Sequence, residues 1–451
     1  MYDTIAIEDL NTPAVALCHK DFMMDARSAA SSKGMPGVRI VSETILFERT
    51  DMEDIEAGVS AVVVDDIVAA LTRQLTEEEK SPKPKEVEKL SRIVFKGNLQ
   101  EVNQFFYKRG WADGLPIIPP TEKAVEEMLK GTDLPADHVV AKIVPRLGKA
   151  TVEKIAINAV MAGALPTYMP LLIAGVQAVI DPKADFGTFE VSTGSWAPFW
   201  IINGPVRKEI NVNSGSGALS PGDIANAGIG RAMGLIIKNI GGARKGIEDM
   251  GVQGNPGKYT MVIAENEEDS PWEPLHVEQG FNKEDSTVTF FTPNSYSQIW
   301  PYGTDDKGIL NAVIYNIIPG RAGMFCLVLP PQHARMLAAK GWAKKEIKDF
   351  ISEYARVPAY RHKEYSGLFA GLPKKAWVPM NAMDSMRILR DPNWIRIVVA
   401  GGPGNFIGLH GGAWFGWGEG MDWVTKKVEF PVNWDTLVKK YKNMVPTYAS
   451  Y

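Results

Sequence analysis

Cysteine is almost missing from this sequence: Cys18 and Cys326 are the two in 451 residues. They fit no CxxC or zinc spacing, which excludes a disulfide scaffold and suits a reducing cytoplasm. A secretory leader is not expected, because MYDTIAIEDL is acidic and has no basic stretch ahead of an apolar one. An excess of one charge is also lacking. The net charge is −4, so no global pull toward nucleic acid or an anionic membrane is expected. An uninterrupted membrane-length run is missing too. The most apolar stretch, 155–180, is broken by Asn158, Pro166, Thr167 and Pro170. It predicts two short buried helices joined at Leu165-Pro166, not a membrane span.

What is present is a chain of ordinary apolar content, long enough for about two or three domains. Strand and helix patterns alternate, which predicts an α/β (or α+β) fold. Residues 1–75 read as a small, incomplete α/β unit. It has strands at 13–18 and after Gly37, a helix ending at Gly34, and a helical stripe of Ile55, Val59, Val63, Ile67, Ala70 and Leu71. Two strands rarely bury enough surface alone, so this unit is expected to pack on the rest of the chain or on another chain. Residues 76–110 read as a charged linker (TEEEKSPKPKEVEKL) followed by helices at 86–95 and 98–109. Residues 111–451 read as one large mixed α/β domain for substrate binding and catalysis. In it Thr121 is expected to cap a helix. Strands are expected at 189–193, 198–203, 258–264, 287–292, 324–329 and 395–400, and helices at 308–318 and, as a pair, over 331–355. Residues 361–375 read as irregular. No internal repeat is evident, although strands run into Gly-rich turns at both 201–204 and 397–402.

The stretch 198–254 passes from a strand through a loop of Gly, Asn and Ser into a helix over about 225–240, ending at Gly241-Gly242. Strand, small-residue loop and helix N-terminus together commonly offer donors to an anion or a polarised carbonyl. Asn203, Asn211, Asn213, Ser214, Ser216, Asn226 and Arg231 are the candidate binding groups. The alternative is a loop whose side chains bond its own turns. The stretch is neither a Walker A loop nor a dinucleotide fingerprint, and it holds no nucleophile beyond ordinary serines.

Just after the next expected strand come Glu265, Glu267, Trp272, His276 and Glu278. On an extended segment His276 and Glu278 would share a face. They suit general acid–base work. Metal ligation with Glu265 or Glu267 is a weaker option, since no HxxxH or HExxH pattern supports it, and a surface acidic run is the bland one. GGPGNFIGLHGGAWFGWGEG offers His410 and aromatics either to a ligand or to a structural turn. Cys326 reads as an inert core residue. Cys18 ends a strand beside His19, which would favour a reactive thiol if the imidazole lowered its pKa; a buried strand-end thiol is the alternative. The sequence points to no particular cofactor.

GWADGLPIIPPT, VEKIAINAVMAG, NGPVRKEINVNSGSGALSPGDIANAGIGRAMGL and NPGKYTMVIAENEEDSPWEPLHVEQGF resemble the large domain associated with the UGSC family. PAVALCHKDFMMDARSAASSKGMPGVRIV resembles the latter part of that family's small α/β domain. The family is named for a selenocysteine- or cysteine-Gly-Ser-Cys motif, which this chain lacks. The resemblance implies thiol- or selenol-linked chemistry, reductive or carbon–heteroatom lyase, with the motif lost or supplied by a partner subunit in an oligomer. The alternative is a self-sufficient hydrolase or hydro-lyase using His276 and its carboxylates. A non-catalytic binding subunit is the third reading. In each case the ligand is expected to be a small polar or anionic molecule.

Overall fold

The computed structural model describes residues 1–44, 51–59, 61–80, 91–301, 303, 305–317, 323–358, 381, 383–389, 391–413 and 422–446. The predictions for residues 361–375 and for 81–90 lie outside the described residues.

The N-terminal unit runs α1 (Tyr2–Asp9), β1 (Ala16–His19), α2 (Met23–Ser32), β2 (Ile40–Glu43), α3 (Met52–Gly58) and α4 (Ala61–Thr72). β1 and β2 pair in parallel, Ala16 opposite Ile40, as the α/β pattern predicts. The single helix expected over 51–75 is two. Among the described residues of the linker there is one short helix, α5 (Glu77–Lys80), ahead of residue 91. Residues 91–95 are not helical. α6 (Leu99–Lys108) begins at a full capping box, Asn98 with Glu101.

The large region continues with α7 (Glu122–Leu129), capped by Thr121 Oγ1, and a hairpin of β3 (Val139–Ile143) and β4 (Gly148–Thr151). Next come α8 (Val152–Ala162) and α9 (Met169–Val179), separated at Gly163 and Pro166. No helix among the described residues is long and apolar enough to cross a membrane. The strand expected at 189–193 is instead part of a helix, α10 (Phe186–Val191). Its Phe186 and Phe189 lie one turn apart and are both buried, so one helical face serves the core. Then follow β5 (Phe199–Asn203), α11 (Val206–Glu209), α12 (Ile224–Ile236), β6 (Val262–Ala264), α13 (Leu275–Glu278), β7 (Thr287–Phe291) and β8 (Ser295–Ile299). The chain ends with α14 (Asp306–Ile317), β9 (Met324–Leu329), α15 (Pro331–Ala339), α16 (Lys344–Tyr354), β10 (Arg356–Pro358), β11 (Ser385–Arg387), β12 (Ile395–Val399), β13 (Ile407–Ala413), β14 (Val424–Lys427) and α17 (Trp434–Tyr441).

Two four-stranded sheets organise this region, in the orders β14-β7-β5-β6 and β8-β13-β9-β12. They share one topology. In each, an inner strand pairs in parallel with one neighbour (β5 with β6, β9 with β12) and antiparallel with the other (β7, β13). The edge strands are exchanged: β8 follows β7 in the chain yet belongs to the second sheet, and β14 follows β13 yet belongs to the first. The match lies in strand order and sense, which residue-by-residue similarity does not reveal.

Alternation along the strands explains the layering. Trp200, Ile202, Val262, Val288 and Phe290 pack with α8, α9 and α12. Phe325, Leu327, Leu329, Ile397 and Leu409 pack with α14, α15 and α16. The opposite faces meet: Phe199, Ile201, Ile263 and Phe291 from one sheet contact Cys326, Val398 and Ala400 from the other. The order is helices, sheet, sheet, helices. Strands covered on both faces read as continuous apolar runs, which is why FWII, MFCLVL and IRIVV stand out. β13 does not, because Gly408 and Gly411 interrupt it. A Cβ at Gly408 would come 3.1 Å from Val328 Cβ, and one at Gly411 3.3 Å from Phe325 Cβ. The described middle of the Gly-rich segment, Ile407–Ala413, is thus an inner strand, not a turn.

Candidate functional site

The parallel pairs direct the C-terminal ends of β5 and β6, and of β9 and β12, to places where loops can converge, the usual ligand position in α/β folds. Here the two sheets' ends meet. Asn266 N donates to Val399 O at 2.7 Å, and Gly401 N donates to Ser214 O at 2.9 Å. A charged network is buried beside this seam.

Glu267 is its hub. Its Oε1 accepts from Gly204 N at 2.7 Å and Asn203 Nδ2 at 3.1 Å, and Arg207 Nε lies 3.0 Å away. Gly204 sits at φ +84°, and a Cβ there would run into the Asp285 carbonyl at 2.2 Å. Glycine is therefore required where the chain leaves β5 and offers its N–H. Asn203 Nδ2 also donates to Glu265 Oε2 at 2.7 Å, which accepts a second bond from Leu275 N at 2.7 Å. Arg207 reaches from α11. It donates to the carbonyl of Glu265 at 2.7 Å and grips Glu268 with both terminal nitrogens. Lys208 joins Glu268 at 2.9 Å. Two donor groups hold the Glu268 carboxyl down at about 2 despite its partial burial.

The second half contributes Lys344 at the start of α16. Its Nζ lies 2.8 Å from Glu278 Oε1 and 3.6 Å from Glu265 Oε1, and donates to Glu273 O at 2.7 Å. Lys348 meets the other Glu278 oxygen at 3.2 Å. His276 is fully buried, with Nε2 3.4 Å from Lys283 O and Nδ1 4.0 Å from Glu267 Oε1. Three buried atoms here have no hydrogen-bond partner: Asn203 Oδ1, Glu265 Oε1 and His276 Nδ1. Buried polar atoms are normally paired, so this concentration marks capacity that the fold itself leaves unused. Glu265 and His276 stand at the back, while Glu267 and Glu268 stand nearer solvent. Among the described residues no group of three His, Cys, Asp or Glu is arranged to hold a metal ion.

The structure thus gathers Asn203, Glu265, Glu267, His276 and Glu278. The geometry differs from expectation in one respect: His276 and Glu278 lie in the helical turn α13, not on an extended segment. They reach the network from different directions. Arg207 and Lys344 are members that sequence reasoning passed over. Arg207 had a signal, an arginine just beyond an Asn-Gly strand end.

The other candidates lie elsewhere or are spent. Asn226 uses its amide on Asn213, Ala218 and Val262, and Asn213 bonds Gly215, Ser216 and Asp223. Both tie the loop together. Asn211 bonds Lys442 O. Ser214 contributes its carbonyl to the seam, and Ser216 packs against Gly402. Arg231 is paired with Asp113 at 2.8 Å and Pro116 O. Trp272 donates to Trp342 O and packs on the second helical layer. His410 lies in β13 stacked on Phe199, 4.2 Å between ring centres, with the Tyr296 ring tilted against it at 4.6 Å. Burial pushes it down to about 3. The Cys18 thiol is pushed up by burial first and by Asp25 second, and His19 is occupied with Asp21. Cys326 is fully buried and its thiol is raised by desolvation.

Residues 1–73 match the UGSC family model. The N-terminal unit is therefore similar to that family, in the region where β1 and β2 pair. No curated protein and no solved structure matches the chain.

Proposed function

We propose that the protein is an enzyme performing general acid–base chemistry on a small polar or anionic substrate, of hydrolase or hydro-lyase type, at the seam between the two sheets. The observation that carries this reading is the Glu267 carboxylate. One oxygen is fixed by Gly204 N, Asn203 and Arg207, beside buried atoms of Asn203, Glu265 and His276 that lack partners. A carboxylate held in this way is positioned to take or give a proton, and Arg207 and Lys208 balance the charge of Glu267 and Glu268 beside it. His276 is placed to sense charge on Glu267. Glu265, Lys344 and Glu278 hold the rear of the site. In a metabolite-conversion screen, Glu267→Gln is expected to lose turnover by about 10²–10⁴-fold, with a melting curve verifying that the variant is folded. Full turnover in both Glu267→Gln and His276→Ala would remove this reading.

A second reading rests on a different observation. The segment matching the UGSC family forms a sheet of two strands among the described residues, a small platform for independent stability. A partner chain carrying the selenocysteine- or cysteine-Gly-Ser-Cys motif would complete it and bring thiol or selenol chemistry. Co-purification from the native source supports this if such a chain is retained. Full activity of the isolated chain counts against it.

A further inference from the structure

A cavity of about 200 Å³ lies where the N-terminal unit meets the large region, away from the sheet seam. Its walls include Tyr2, Asp25 and Ser28 from the first unit, and Arg146, Val191 and Glu248 from the second. The two sides are joined by Ser28 Oγ donating to Glu248 Oε1 at 2.6 Å. Glu248 is itself satisfied, since Arg244 donates to both its oxygens. Asp25 is not: it has no hydrogen bond or ion pair among the described residues. Burial and the nearby Glu248 raise its carboxyl to about 6, against a lowering effect of the α-ammonium at Met1. Arg146 makes a long ion pair through Nε, 3.6 Å from Glu248. Its two Nη atoms carry no protein bond among the described residues. One cavity thus presents a carboxylate without a donor and a guanidinium with donors to spare. It is smaller than the ~300–1,000 Å³ pockets that take drug-sized ligands.

We propose that this cavity binds a small zwitterion of amino-acid size, its ammonium directed to Asp25 and its carboxylate to Arg146. This site is independent of the acid–base seam. The ammonium needs the ionised form of Asp25. Affinity is therefore expected to be constant above pH 7 and to fall toward tenfold per pH unit below about 6. The other groups near Asp25 are Glu248, Tyr2, Cys18 and the Met1 ammonium, whose interactions with it define the same neighbourhood.

The test is calorimetric titration of the full chain with glycine, β-alanine, ethylamine and propionate at pH 5 and pH 7.5. A zwitterion is expected to bind about ten- to a hundredfold more tightly than either single-charge probe. Asp25→Asn, nearly isosteric, should reduce the zwitterion to the level of propionate and abolish the pH dependence. Arg146→Ala should reduce it to the level of ethylamine. Melting curves of both variants verify folding. Absence of saturable heat with all four probes at millimolar concentration overturns the proposal. So does zwitterion binding that Asp25→Asn leaves unchanged.

Discussion

Lys344→Met isolates the electrostatics of the buried network. The ammonium sits 2.8 Å from Glu278 and 3.6 Å from Glu265, and the side chain is only 7% exposed. Methionine keeps most of the stem's volume, so the substitution removes charge more than packing. Glu278 would retain Lys348 at 3.2 Å. Glu265 would lose the nearest cation to its Oε1, at a position with no solvent contact. Removing one partner of a buried pair leaves an uncompensated charge and costs about 3–5 kcal/mol. Urea unfolding, followed by circular dichroism, measures it as a lower midpoint. The assignment to Glu265 is tested by rescue. Lys344→Met combined with Glu265→Gln should recover about 1–3 kcal/mol through pairwise coupling, and the combination with Glu278→Gln should recover less. A loss below ~1 kcal/mol for the single variant, the range of a surface pair, would refute the reasoning. Equal rescue by both combinations would refute the assignment.

Other expectations concern groups outside the seam. Glu190 is buried and raised to about 8, chiefly by burial, with Asp249 adding to the shift and Lys258 opposing it. Because the folded state holds this proton after the unfolded chain has released it, stability should fall as pH rises from about 4.5 to 8. Glu190→Gln should flatten that limb by a few kcal/mol at most; an unchanged pH profile in urea titrations contradicts it. His410 behaves oppositely. Its folded pKa of about 3 lies below the ordinary 6.5, so stability should be lost as pH falls between them. His410→Phe should keep the stack on Phe199 and make the protein more acid-resistant; an unaltered acid midpoint contradicts it. Arg231→Ala should leave turnover intact while costing about 1 kcal/mol through the lost Asp113 pair. A specific loss of substrate affinity would return Arg231 to the binding machinery.

Much of the fold was legible where one physical signal acted alone. Phe199–Asn203, Met324–Leu329 and Ile395–Val399 are strands covered on both faces, and their apolar runs announce them. Thr121 caps its helix as its chemistry suggests. Legibility failed where tertiary contact overrode local pattern. Phe189 and Val191 look like strand residues, yet Phe186 and Phe189 are drawn into one helical face. β13 looks like a loop because it is rich in glycine, at positions where neighbouring side chains leave little room for a Cβ. The paired sheets were invisible, because their likeness resides in strand order and in two exchanged edges.

The site divides in the same way. Glu265, Glu267 and His276 follow a strand end closely, so sequence reasoning reached them. Lys344 lies in KKEIKDF, where nothing distinguishes a buried lysine from the solvated ones beside it. Its role depends on α16 returning to the end of β6 from 79 positions further along, as the contact of Lys344 with Glu265 shows. Arg231 attracted notice by standing in the helix after the loop, but its side chain is held by Asp113.

The central claim is water-linked acid–base chemistry at the Glu267 seam. The most direct measurement incubates the isolated full chain with a metabolite extract in H₂¹⁸O or D₂O and reads small polar metabolites by mass spectrometry. The account predicts that the wild-type chain alone places oxygen or hydrogen from solvent in a product, and that Glu267→Gln does not. Equal labelling by the variant would contradict it, as would conversion that occurs without solvent label and only when a thiol- or selenol-bearing partner is added.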